Sequence, residues 1–204
     1  METTRLYQMT AVAGWICGGA IAAGAVIESV IGAKVPVTEV LNGGAAPFGM
    51  LLLVGLYLTV RTAVGTFGAI AAGAHFLGFG LFAGVAYTRN FVLTQLDQAT
   101  LDRLLDGSAR WVFLATAGLA LVGTVLFAVA ITGVRAIPRG AVACYTLGLS
   151  MLCLTFLLPA PLVRCGHVLA GGGLCWLALY VWRSSSRSET VGAAVETGRI
   201  TLGR

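Results

Sequence analysis

Long apolar runs separated by short polar breaks organise this chain. Six runs stand out, over residues 9–31, 45–60, 65–87, 111–134, 140–158 and 162–182. A helix needs about 20 mostly apolar residues to cross the hydrocarbon core of a bilayer. The second run is the shortest, because Arg61 closes it after 16 residues. An arginine there can lay its stem along the apolar surface and carry its charge to the interface. The pattern predicts an all-α, polytopic membrane helix bundle of six transmembrane helices within residues 1–183. The remainder, 184–204, is polar, contains glycine and has no apolar period, and is expected to be a flexible cytoplasmic tail.

The one long connection is RNFVLTQLDQATLDRLLDGSAR. Leu96, Leu101, Leu104 and Leu105 interleave with Asp97, Asp102, Arg103 and Asp106, and Gly107 ends the pattern. This predicts a short amphipathic helix lying on the outer face, with Thr100 as its N-cap.

Composition identifies the solvent. Of 204 residues, 58% are hydrophobic and 10% charged, and the mean hydropathy is +0.91. Soluble domains carry about 25% charged residues, so this chain lacks the polar cover that water demands. A net charge of +5 would point a soluble protein toward nucleic acid. Here the cations cluster at run ends, which implies no nucleic-acid partner but a bias across a membrane. With six spans, Arg5, Arg61, Arg135, Arg139, Arg183, Arg187, Arg199 and Arg204 fall on one side. Lys34, Arg89, Arg103, Arg110 and Arg164 fall on the other. Eight against five places both termini in the cytoplasm of a bacterial plasma (inner) membrane. Trp111, Trp182, Tyr87 and Tyr180 near the run ends fit an aromatic belt. Among the basic residues only Lys34 is lysine, a bias that looks like a GC-rich, actinobacterial genome. The first run is too long for a signal-peptide core, so a retained first helix is expected. Five cysteines, with no CxxC pair, sit in or beside apolar runs and read as small buried hydrophobes.

The stretch LPAPLVRCGH, residues 158–167, holds the densest chemistry. Pro159 and Pro161 between two apolar runs predict a hairpin. Arg164 and His167 follow one helical turn apart. Glu28, near the same end of the first run, should share their depth. Ionisable groups inside a membrane are expensive and by default functional, so Glu28, Arg164 and His167 are the candidate ligand-binding or polar cluster. A structural ion pair tying the first helix to the sixth is the other reading. His75, in mid-run, is either a neutral histidine bonded to a neighbouring helix or a haem ligand. GLSM at Gly148–Met151 resembles the GxSG nucleophile motif of rhomboid-type intramembrane proteases. Met151 replaces its last glycine, and His167 lies one helix on rather than two, so no catalytic residue is assigned. P-loop, GxGxxG and HExxH patterns are missing, and no metal site is expected.

Glycines recur at small-xxx-small spacing, at Gly14–Gly18, Ala69–Gly73 and Gly80–Gly84, and three stand together at Gly171–Gly173. Such faces let helices approach closely within a bundle, or dock a second copy or a partner membrane subunit. The order of these features is an arginine ahead of run one (RLYQMTAVAGW), a run ending in VR, an acidic amphipathic loop, and IPRG opening run five. That layout resembles uncharacterised six-span bacterial membrane proteins of the domain-of-unknown-function type. The resemblance implies the fold and no site residues. The expected function is therefore an integral membrane protein without a catalytic motif, binding membrane lipid, a small molecule or a partner subunit, with no cofactor. The alternatives are a haem or redox protein using His75, or a small secondary transporter with Glu28 in its path.

Overall fold

The structure, a computed structural model, describes residues 2–196 of the chain and the side chains of residues 4–186. Among the described residues it is all-helical, with no strand. The α-helices are α1 (Glu2–Ile31), α2 (Pro36–Gly44), α3 (Ala46–Tyr87), α4 (Gln98–Asp106), α5 (Ser108–Thr132), α6 (Arg139–Cys153) and α7 (Ala160–Glu196). A π-helical turn, Thr88–Val92, and a 3₁₀ turn, Leu93–Gln95, join α3 to the segment before α4. Four stretches are long and apolar enough to cross a membrane: Thr4–Ile31, Pro36–Gln95, Ser108–Thr132 and Ala160–Ser186.

The longest helix is folded in two. Gly65 has φ 57° and ψ −154° in the middle of α3, a combination open essentially to glycine alone. The chain reverses there. A Cβ on Gly49 would lie 2.9 Å from the Phe79 ring, and one on Gly80 would lie 3.2 Å from the Met50 methyl. Residues 46–64 and 66–87 are therefore antiparallel arms of one hairpin. The reversal directly follows the predicted break over residues 61–64: those residues stay helical, and the turn falls on Gly65.

Glycines also mark the other crossings. Gly18 of α1 meets the backbone of Gly171 in α7, Gly78 of α3 meets Ala120 in α5, and Gly148 of α6 meets Ala170 in α7. A Cβ added at any of the three would sit within 2.7 Å of backbone. The contacts order the bundle as a ring: α1, the first and second arms of α3, α5, α6, α7, and back to α1. Of the predicted small-residue faces, Gly14 and Gly18 are packed inside. Gly73 and Gly84 meet nothing within 4 Å.

Three local expectations are corrected. α2 occupies a connection to which the apolar pattern assigned no element. Gly32, at φ 80°, ends α1 with its N–H on the Glu28 carbonyl (2.9 Å), and Pro36 then opens α2. The run 140–158 stops being helical at Cys153, and residues 154–158 form turns before Pro159. LPAP is then the start of a helix as much as a hairpin. The Pro159 carbonyl accepts from Leu162 and Val163, and Pro161 sits in the first turn of α7, where a missing N–H costs nothing. Finally, α7 runs on through residue 196, past the expected start of the tail at 184, since no proline interrupts it. Residues 197–204 lie outside the described part.

Candidate ligand-binding cavity

Three connections gather at one end of the ring: residues 32–45, 88–107 and 154–159. Beneath them lies a cavity of about 1200 Å³. Ligand pockets in proteins run to roughly 300–1,000 Å³, so this space suits something larger than a metabolite. Its deep wall is apolar, with Cys17 and Ile21 of α1, Phe79 of α3, Leu149 of α6 and Leu174 of α7. Toward the chain termini the interior closes. Leu52, Leu56, Val60, Leu177 and Val181 are all at most 2% exposed.

The mouth is polar. Glu28 ends α1 almost fully buried, and its carboxylate accepts from Asn42 Nδ2 of α2 at 3.1 Å. The Asn42 carbonyl oxygen is buried without a partner among the described residues. It lies against Gly24, where a Cβ would come within 2.6 Å of it. Lys34 donates to Asn90 Oδ1 across the mouth (2.8 Å), and Asn90 in turn donates to the Ala86 carbonyl. Arg89 Nη1 reaches the Thr155 hydroxyl at 3.2 Å, bridging the π-helical turn to the α6–α7 connection. Loss of water around the Lys34 ammonium, and then the nearby Arg89 guanidinium, hold it below the ordinary lysine range, with Glu28 and Glu39 opposing.

Over the mouth lies α4, contributing Gln98, Leu101, Leu105 and Asp106 to the wall. Its N-cap is Asp97 rather than Thr100. The Asp97 carboxylate accepts from the Thr100 N–H (2.9 Å) and hydroxyl (2.8 Å), which also holds the carboxyl below its ordinary value. Gly107 follows the helix, as the pattern implies.

The three candidate site residues, Glu28, Arg164 and His167, all line this cavity. They are not bonded to one another. Glu28 pairs with Asn42, and among the described residues no Arg or Lys forms an ion pair, so the structural ion pair between the first and sixth apolar helices is absent. His167 donates from Nδ1 to the Val163 carbonyl (2.9 Å), which leaves Nε2 neither bonded nor sealed from the cavity. Ser150, of the protease-like GLSM, is not in the wall.

His75 sits elsewhere, at 0% exposure in the core. Thr124 Oγ1 donates to the Ala120 carbonyl (2.7 Å), so at 3.4 Å it accepts from His75 Nδ1–H. That tautomer leaves Nε2 to accept from the Tyr145 hydroxyl of α6. Phe79, Phe127 and Tyr145 enclose the ring, with centroids 5.6–5.9 Å away. Both nitrogens serve the protein, and an iron would have to displace Tyr145 from a closed core. The neighbouring-helix reading of His75 therefore describes its geometry, and a haem iron would need Nε2 released from the Tyr145 hydroxyl.

What the sequence reading missed is the cavity itself, with Lys34, Asn42, Arg89 and Asn90 at its mouth. The available signal was the clustering of cations and amides beside three connections on the same side. No family model, curated protein or solved structure matches this chain.

Proposed function

We propose that this protein is an integral membrane protein of the bacterial plasma membrane that binds an amphipathic molecule in its cavity and performs no chemistry on it. The proposed topology has six spans and both termini in the cytoplasm, so that the cavity mouth and α4 face outward. Supporting the membrane reading is the bundle's outer surface. Met9, Val30, Ile70, Leu77 and Val129 are each at least 60% exposed, on helices that carry few charges. Water would not tolerate that surface, whereas lipid tails match it. At 15 residues α6 rises only about 22 Å. The apolar segment 154–158 makes up the rest of the depth at the cavity mouth.

One observation carries the binding reading. A large cavity passes from an apolar blind floor to a polar mouth, which is the shape of an amphiphile. Nothing in its wall pairs a nucleophile with a base, the arrangement covalent catalysis requires. The test is native mass spectrometry of protein released from membranes. Wild type should retain a lipid-mass adduct. Filling the wall with Ala86→Trp and Ala117→Trp should remove it while leaving a folded, monodisperse protein. Wild type without an adduct, or an adduct equally abundant in the filled variant, would refute the reading.

A further inference from the structure

The cavity mouth carries an imbalance of charge. Lys34, Arg89, Arg110 and Arg164 line it, against Glu28 and Asp106. The carboxylate of Glu28 is engaged by Asn42. Among the described residues none of the four cations has a carboxylate partner. Lys34 and Arg89 instead donate to neutral oxygens of Asn90 and Thr155, weaker acceptors than an anion. Cations gathered around an apolar shaft with no carboxylate at ion-pair distance, although Glu28 and Glu39 act on Lys34 from farther off, are a seat for an anion whose body enters the shaft. Two guanidinium groups and an ammonium offer forked donors and a point charge. That set suits the several oxygens of a phosphate better than the two of a carboxylate.

We propose that the bound amphiphile is a phosphate ester, with its head held by Lys34, Arg89 and Arg164 and its tail running to Cys17 and Leu174. This rests on the amphiphile reading of the cavity above. The head lies at the level where the three connections meet, and α4 covers it through Leu101 and Leu105. Arg110, at the start of α5, adds to the field over the same mouth and strengthens attraction at low ionic strength.

The experiment uses the full chain in nanodiscs of a phosphate-free glycolipid, digalactosyldiacylglycerol, and follows by peptide mass spectrometry the N-ethylmaleimide alkylation of the cysteine introduced by Ala160→Cys, an exposed position of the cavity wall. Three additions are compared: dodecyl phosphate, dodecanol and inorganic phosphate. Dodecyl phosphate should protect this cysteine in the otherwise wild-type chain. The concentration needed should rise about a hundredfold in Arg89→Gln/Arg164→Gln, the loss of two charge-assisted contacts at about tenfold each. Dodecanol should protect both proteins alike, which also shows the variant folded. Arg103→Gln removes a cation bonded only within α4 and should behave as wild type. Inorganic phosphate should not protect at concentrations where dodecyl phosphate does. If dodecyl phosphate and dodecanol protect equally and the double variant is indifferent, the phosphate head is wrong and the cavity reading stands. If inorganic phosphate alone protects as well, the ligand is free phosphate and the tail is wrong. If nothing protects, both readings fall.

Discussion

The imidazole of His75, in the second arm of α3, accepts a hydrogen bond from the hydroxyl of Tyr145 in α6, and α5 supplies the second partner through Thr124. One buried histidine thus ties three helices of the ring at mid-depth. Leaving one of its nitrogens unpartnered in so dry a place costs about 1–3 kcal/mol. Tyr145→Phe should therefore lower stability by that amount in detergent thermal melts and leave the protection by dodecyl phosphate at Ala160→Cys unchanged. A Soret band in wild type that His75→Ala abolishes would restore the haem reading.

The triplet Gly171–Gly173 separates packing from propensity. A Cβ on Gly171 would lie 2.5 Å from the Gly18 carbonyl, and one on Gly173 2.4 Å from the Tyr145 amide, while Gly172 meets nothing within 4 Å. Gly171→Ala and Gly173→Ala force backbones apart and should each cost about 1–3 kcal/mol. Gly172→Ala should be neutral or stabilising by up to about 1 kcal/mol. Equal losses at all three positions would mean the triplet is an unwound segment instead of a packed helix.

The α4 cap should titrate. Hydrogen bonds from Thr100 hold the Asp97 carboxyl below its ordinary value of 3.8. A carboxyl depressed in the folded state contributes stability that is complete above its unfolded value and is lost as pH falls through the folded one. The first turn of α4 should accordingly be intact at neutral pH and fray below about pH 4. Backbone shifts of Thr100–Arg103 would report this. Asp97→Ala should fray the turn at every pH, whereas Asp97→Asn should keep it and remove the pH dependence.

Topology gives a fourth expectation. A reporter fused after Arg204, or inserted after Ile137, should report the cytoplasm, and one inserted at Ala99 the outside. Both locations depend on the reversal at Gly65. Gly65→Val puts a β-branched side chain at φ 57°, a strain of about 1–3 kcal/mol, and should lower yield or scramble the two arms. Reporters at Ala99 and Arg204 on the same side would show that α6 with residues 154–158 does not cross, whereas reporters on opposite sides but each the reverse of the expected one would show that the α3 hairpin does not cross as two spans.

The apolar runs were legible because hydropathy is a property of composition. A stretch such as 111–134 leaves few alternatives to a long apolar helix, and the small residues at Gly14 and Gly18 announce close crossings. The amphipathic pattern of α4 and its stop at Gly107 are local signals and were legible too. Its cap was misread by three residues because Asp97 and Thr100 both suit that role, and only the backbone geometry decides between them. Tertiary structure alone determined the rest. The break between the second and third runs was legible to within a few residues, but that Gly65 itself takes the turn is set by how the two arms pack. The partners of His75 lie 49 and 70 residues away. Glu28 was expected beside Arg164 and His167 from matched depth, and it does share their cavity. Depth fixes a level and not a direction around the helix, so its hydrogen bond went to Asn42 on a helix the apolar pattern did not contain. The cavity is a space left between helices, and such a space arises from how the ring closes, which no single segment encodes.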